Sequence, residues 1–131
     1  MERNIVNPWT WQDALGFVQA NEIHGASRTL VCSGQTSVDA GGAPVHAGNM
    51  AAQIGQALDN LETVLKASGY TLKDVVRLSY FTTDVDAFIA AGQAFVPRLA
   101  AAGCRPASTL LGVQRLFHPD ILVELEAVAV Q

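Results

Sequence analysis

Charge is scarce in this chain, and basic charge is scarcer still. Only 15% of its 131 residues are charged, where a typical soluble domain holds ~25%. Eight Lys and Arg stand against twelve Asp and Glu, for a net charge of −4. The basic residues form no run or stripe. Affinity for a phosphate backbone rests on clustered Lys and Arg, so this balance argues against a nucleic-acid partner. No apolar run approaches the ~20 residues that span a bilayer, so no membrane partner is expected. The opening "MERNIVNPWTWQD" has neither an apolar h-region nor a small-residue cleavage site, and a cytoplasmic location is expected. The only cysteines are Cys32 and Cys104. Without metal spacing they are expected to be free, structural thiols in a reducing compartment. His24, His46 and His118 show no His-x-x-x-His pattern and are read as turn or surface residues, so no metal is expected. "DAGGAPVHAG" lacks the lysine and the helix start of a phosphate loop, and no cofactor is expected.

Hydrophobic residues, by contrast, make up 50% of the chain. That is enough for a sizeable core, and the length fits one domain over 1–131 without repeats or linkers. An apolar chain with so little surface charge points to a surface partly covered by another subunit. Trp9 and Trp11 are read as packing anchors of the N-terminal stretch. "LGFVQANEI" reads as extended and "RTLVCSGQTSV" as its partner, with "HGAS" as the hairpin turn between them. "DAGGAP" (39–44) is a turn. From Gly48 the period becomes helical: Met50, Ile54, Leu58, Leu61 and Leu65 share one stripe, and Gly69 stops it. "DVVRLSYFTT" returns to strand character. Asp84 or Asp86 caps a second helix, whose stripe is Phe88, Gly92, Phe95 and Leu99, with a kink or break at Pro97. "ASTLLGV" and "DILVELEAVAV" are the last extended segments.

The order ββαβαββ predicts an α+β fold. Two right-handed crossovers place both helices on one face of a mixed sheet and leave the other face bare. A bare apolar sheet face is an association liability that a closed oligomer resolves. The last strand sharpens the point. Successive side chains alternate faces, so Leu122, Glu124, Glu126 and Val128 share one face, and Val123, Leu125, Ala127 and Ala129 the other. An ionised glutamate in a dry interior costs several kcal/mol unless it is paired or reached by water. A narrow but wet cleft at a subunit boundary would satisfy Glu124 and Glu126.

Four stretches, "GFVQA" (16–20), "VCSGQTSVD" (31–39), "AAQIGQALDNLETVLKASG" (51–69) and "VELEAVAV" (123–130), together with "RPASTLLGVQRL" (105–116), resemble the Rid family. These are the reactive intermediate imine deaminases, also known as the YjgF family. The resemblance covers nearly the whole chain. It implies a chorismate-mutase-like α+β sandwich and a homotrimer around a barrel-like core, with three clefts between subunits. In the deaminase branch a glutamate of the last strand positions the attacking water; that position is Glu124. An arginine just after the proline of the preceding strand grips the substrate carboxylate; here it is Ser108. A pocket-closing tyrosine is replaced by Phe17, and an asparagine of the second helix by Gly92. Ser33, Gly34 and Gln35 are expected to line the cleft with backbone donors, Gly34 otherwise serving only a tight bend or bulge. Ser108 and Leu110 alternate with Thr109 and Leu111 and are expected to face the pocket together. Arg105 and Arg115 are the nearest cations that could replace the missing arginine, and both have the wrong strand parity. Glu126 is read as structural.

Three functions fit this resemblance. The first is an imine or enamine hydrolase of deaminase type, with specificity moved away from 2-imino acids. The second is a non-catalytic homotrimer binding a small metabolite in the same cleft. The third is an endoribonuclease or translation inhibitor, against which the charge balance counts. The presence of Glu124 favours the first.

Overall fold

A computed structural model describes all of residues 1–131. Its centre is a mixed sheet in which the C-terminal strand β7 (Val123–Val130) lies between β3 (Thr29–Val31) and β5 (Val75–Thr82). A two-residue strand β4 (Gln35–Thr36) also pairs antiparallel with β7, matching Thr36 to Glu124. The outer strand β6 (Ala107–Gly112) runs parallel to β5. Helix α1 (Met50–Ala67) and the shorter α2 (Val85–Ala90) and α3 (Val96–Ala101) cover one face. The expected architecture of helices on one side of a mixed sheet therefore stands. No helix is long and apolar enough to cross a membrane.

Local chemistry accounts for the helices. The Asn49 side chain accepts from Ala52 N at 3.0 Å and caps α1, and Gly69 at φ 78° ends it in the left-handed region. Ile54, Leu58, Leu61 and Leu65 of α1 are fully buried. They pack on Val123, Leu125, Ala127 and Ala129, the inner row of β7. Of the two candidate caps of the second helical segment, Asp84 is the one used, accepting from Ala87 N at 3.0 Å. That segment is broken, not merely kinked: a 3-10 turn at Gly92–Ala94 separates α2 from α3. Pro97 lies in the first turn of α3, where its missing N–H costs nothing.

The N-terminal half departs from expectation. Residues 15–23 and 28–38 do not form a hairpin with one another. Strand β2 (Ala20–His24) pairs instead with an N-terminal strand β1 (Glu2–Val6), and β3 pairs with β7. "HGAS" thus passes the chain from one sheet to the other, through Gly25 at φ 68°. Arg3 explains why β1 competes successfully. Its guanidinium donates to Asn21 Oδ1 at 2.9 Å, to Lys73 O at 3.0 Å and also to Arg105 O, tying the small sheet to the main one. Asn21 Nδ2 donates to Val76 O at 2.9 Å and strengthens the same junction. Nor are Trp9 and Trp11 buried anchors: they are 59% and 63% exposed, and Trp11 meets Phe17 edge-on at 5.9 Å.

On the face without helices, the β7 row of Glu124, Glu126 and Val128 lies beside Phe81, Ser79 and Arg77 of β5. Val31 of β3 pairs with Val128 on that face and is 75% exposed. Leu111 of β6 is aligned with Phe81 and is 48% exposed. This is the bare, part-apolar face that the order of elements implied.

Candidate active site

The residues singled out in the sequence fall into two groups on opposite faces of the sheet. The first group is Glu124 with Ser33, Gly34 and Gln35. Glu124 stands on the helix-free face, and its carboxylate lies over the α-carbon of Gly34. A methyl group on Gly34 would fall 1.8 Å from Glu124 Oε1 and 2.6 Å from Cδ. Gly34 is absent from the residues with positive φ, so glycine is needed here for room rather than for backbone freedom. Gln35 turns back on its own loop, donating to Ser33 O at 3.2 Å.

No cation pairs with Glu124. The acid–base contacts of the chain are His24–Glu22, Arg98–Asp59, Arg98–Glu62 and His118–Asp120. Partial burial raises its pKa above the usual carboxylate value, and the neighbouring charge of Glu126 raises it further. A half-buried, unpaired carboxylate with a raised pKa is suited to taking and returning a proton. Arg77, the basic residue of this face, is held by Thr109 Oγ1 at 2.6 Å.

Two α1 side chains that the sequence reading passed over hold this group in place. Gln53 is fully buried; it donates to Asp120 O at 2.7 Å and accepts from Leu122 N at 2.8 Å, fixing the start of β7 two residues before Glu124. Asn60 donates to Thr36 O at 2.9 Å and Val38 O at 3.0 Å, fixing the strand after Gly34. A glutamine one residue before Ile54, within the apolar stripe, was the available signal for the first.

The second group lies on the helix side. Ser108 and Leu110 of β6 align with the buried Leu78 and Tyr80 of β5. With Phe17 and Gly92 they line a pocket of about 370 Å³. Its other walls are Tyr80, Phe88 and Phe95, whose rings pack at centroid distances of 5.1 to 5.3 Å, and the aliphatic Leu15, Ile89 and Val96. In the sequence these three aromatics carry no signal beyond that of core or strand residues. Neither Arg105 nor Arg115 of the same chain lines the pocket. The polar residues of the lining are Tyr80 and Ser108, and their hydroxyl oxygens are buried behind the wall without a hydrogen-bond partner. Burial holds the Tyr80 phenol protonated, its pKa raised far above the ordinary value.

A recess of about 380 Å³ on the other side of Phe17 is bordered by Asp13, Cys104 and Arg105. Burial pushes the Cys104 thiol up to about 12, so it is not a nucleophile at neutral pH. Cys32 is also buried, with its pKa raised for the same reason. No three His, Cys, Asp or Glu side chains gather closely enough to hold a metal ion.

Residues 12–131 match the family model described as Endoribonuclease L-PSP. A crystal structure of a Yersinia pestis protein of unknown function from the conserved Rid family, YyfB, superposes with a TM-score of 0.89 at 35% identity and covers 100% of both chains. The 2-iminobutanoate/2-iminopropanoate deaminase of Escherichia coli is 33% identical over 105 residues, 78% of this chain and 79% of the relative. A RutC family protein of Pyrococcus horikoshii is 29% identical over 104 residues, 79% of this chain and 80% of that one.

Proposed function

The chain belongs to the Rid family, and we propose that it is a deaminase-type hydrolase of a reactive imine or enamine. Its site is completed only when a second copy brings Glu124 to the pocket beside Phe17. The observation that carries this reading is the seat of Glu124: unpaired, half-buried and lodged against a glycine that leaves room for nothing but the carboxylate. Within one chain the carboxylate and the pocket face opposite sides of the sheet. In a cyclic trimer each subunit lends its pocket to one neighbour and its Glu124 to the other, and the exposed Val31 and Leu111 are covered.

The chemistry is short. Glu124 accepts a proton from water as the water oxygen bonds to the imine carbon. The carbon–nitrogen π pair becomes an amine lone pair, which takes the proton back from the carboxylic acid formed on Glu124. The Glu124 carboxylate then accepts the hydroxyl proton of the carbinolamine and passes it to the departing nitrogen, as the carbon–oxygen double bond forms and the carbon–nitrogen bond breaks. Imine and water give carbonyl and ammonia, with no oxidant. An imine is already electrophilic, so a placed base supplying 10²–10⁴ in rate is sufficient.

The test is imine hydrolysis by the purified protein. An amino-acid oxidase generates 2-imino acids in situ, semicarbazide traps what remains, and a carboxylate-free imine is assayed in parallel. The expected result is hydrolysis of the neutral imine that falls at least 10²-fold in Glu124→Gln. An unchanged rate in that variant refutes the role of Glu124. Silence of the wild type on every imine leaves the same cleft as a metabolite-binding site without chemistry.

A further inference from the structure

We infer that a recess at the far end of the sheet from Glu124 binds a compact phosphate-type dianion, either free or as the head of a small phosphate monoester. Such a site stands whether or not the chain hydrolyses imines. Along the sequence the eight Lys and Arg form no cluster. Folding nevertheless brings Arg3, Lys73 and Arg105 to the wall of one recess of about 330 Å³. Three elements deliver them: β1, the 3-10 turn Leu72–Asp74 ahead of β5, and the turn at Gly103 between α3 and β6. The place is remote from the imine chemistry. Arg3 donates to Val75 O at 3.4 Å, and Val75 pairs with Ala129, whereas Phe81 pairs with Glu124. Six residues of extended β5 separate the two by about 20 Å.

The positive charge of this recess has no counterweight in the chain. None of the three cations takes part in an acid–base contact; those use Arg98 and two histidines. Asp74 is the one acid of the lining, and its Oδ2 is engaged elsewhere. It accepts from Thr71 N at 2.8 Å, from Thr71 Oγ1 at 3.2 Å and from Gln131 Nε2 at 3.2 Å. Arg3 forms a fixed floor. Its guanidinium makes four hydrogen bonds, to Asn21 and to the carbonyls of Lys73, Val75 and Arg105, which leaves one Nη1 hydrogen without an acceptor. Burial, and to a lesser degree the charge of Arg105, lower the Arg3 pKa. An anion between the two arginines relieves that repulsion. Lys73 and Arg105 are exposed and free to close on it. The lysine stem runs past Gly103, its Cγ 3.9 Å from where a β-carbon would stand, so the two cations flank one turn. Guanidinium forks and an ammonium are the groups that recognise phosphate. Three cations in one recess suit a compact anion, where a polymer backbone needs a longer run of them.

Isothermal titration of the full-length protein, in phosphate-free buffer at constant ionic strength, tests this with inorganic phosphate, glycerol 3-phosphate, malonate and glycerol. Both phosphates should bind saturably at one site per chain, about tenfold or more tighter than malonate, and glycerol should not bind. Tighter binding of glycerol 3-phosphate than of inorganic phosphate identifies a monoester as the ligand, and the reverse order identifies free phosphate. Lys73→Gln and Arg105→Gln keep the backbone carbonyls that hold Arg3, and each should weaken phosphate binding about tenfold. Arg115→Gln removes a cation outside the recess and should bind phosphate as the wild type does. Absence of saturable binding by both phosphates overturns the inference. Malonate binding as tightly as phosphate does so too, because the site would then read charge alone. Equal weakening by Arg115→Gln is equally fatal, since it reduces the effect to attraction by the chain as a whole.

Discussion

Replacing Gly34 by alanine separates the working geometry of Glu124 from its mere presence. The added methyl carbon would sit 1.8 Å from Oε1, 2.6 Å from Cδ and 2.9 Å from Cγ of Glu124, so the carboxylate must leave its seat. The end of a glutamate is flexible, and leaving means rotation within the cleft on the helix-free face rather than disruption of the core. Because the backbone at Gly34 lies outside the positive-φ region, alanine fits the chain there and gains about 0.4–1 kcal/mol by restricting the unfolded state. That gain roughly cancels the cost of rotating Glu124, about 0.5–1.5 kcal/mol for an off-rotamer side chain. The melting temperature should therefore move by no more than about 5 °C in either direction. Activity is a different matter: a base displaced from the attacking water forfeits its contribution, and kcat/KM should fall roughly 10²–10⁴-fold. The assay is imine hydrolysis alongside thermal melting for Gly34→Ala, Glu124→Ala and the double variant. If the carboxylate works from this seat, the double variant is no slower than Glu124→Ala, because both changes remove the same function. Full activity in Gly34→Ala would refute the reasoning, and so would multiplicative losses in the double variant.

Three further outcomes are expected. Because burial and Glu126 raise the pKa of Glu124 in the fold, the folded state holds this proton more tightly than the unfolded chain. The resulting stabilisation is full below the ordinary carboxylate pKa and is lost as pH rises through the raised value. In melts against pH, Glu124→Gln should gain on the wild type as pH rises through that window, and Glu126→Gln should move the acid limb of kcat/KM to lower pH. A limb that stays put detaches Glu124 from the rate. Gln53→Ala leaves Leu122 N and Asp120 O without their side-chain partner, at about 1–3 kcal/mol each. Denaturant unfolding should show a loss of about 3 kcal/mol or more, and a loss below 1 kcal/mol would show that water substitutes fully. Ser108→Arg places a fork in the pocket wall that can bind a carboxylate at roughly 1.5–3 kcal/mol per bond. Hydrolysis of 2-imino acids should rise by about tenfold or more, and no rise in a folded variant would mean that Phe17 and Gly92 also bar those substrates.

The readable parts of the fold were those set by period and local capping. Met50, Ile54, Leu58, Leu61 and Leu65 announce α1 because a helix repeats every 3.6 residues, and the alternation in 122–130 sorts β7 into its two faces before any coordinates exist. Pro97 marked the interruption of the second helical segment, although whether it bends or breaks depends on how Phe88 and Phe95 reach the core together. The pairing of strands was less legible. Nothing near residues 2–6 shows that they form a strand, because what holds them is the reach of Arg3 to carbonyls about 70 and 102 residues away. The hairpin expected across "HGAS" is plausible locally and loses to a partner, β7, from the far end of the chain. For the site, parity placed Ser108 and Leu110 together and apart from Thr109 and Leu111. It could not place them against the opposite face from Glu124, since that depends on which strand lies beside which. The role of Gly34 was similarly hidden: a glycine shows what it permits, while the atom that would collide with a methyl group belongs to residue 124.

The division of Glu124 and the pocket between two sheet faces has a genetic corollary. In the cyclic arrangement proposed, no single chain owns a working centre, so two alleles that each abolish activity can rescue one another. One would carry Glu124→Gln with an intact pocket. The other would carry Gly92→Trp, at a position where a new side chain starts in open space, with an intact carboxylate. Co-expressed at equal levels and assembled at random, roughly a quarter of the clefts would take the pocket from the first product and the base from the second. A heterozygote of two null alleles would then grow where neither homozygote does, while the same two changes carried on one allele would be rescued by nothing short of wild type.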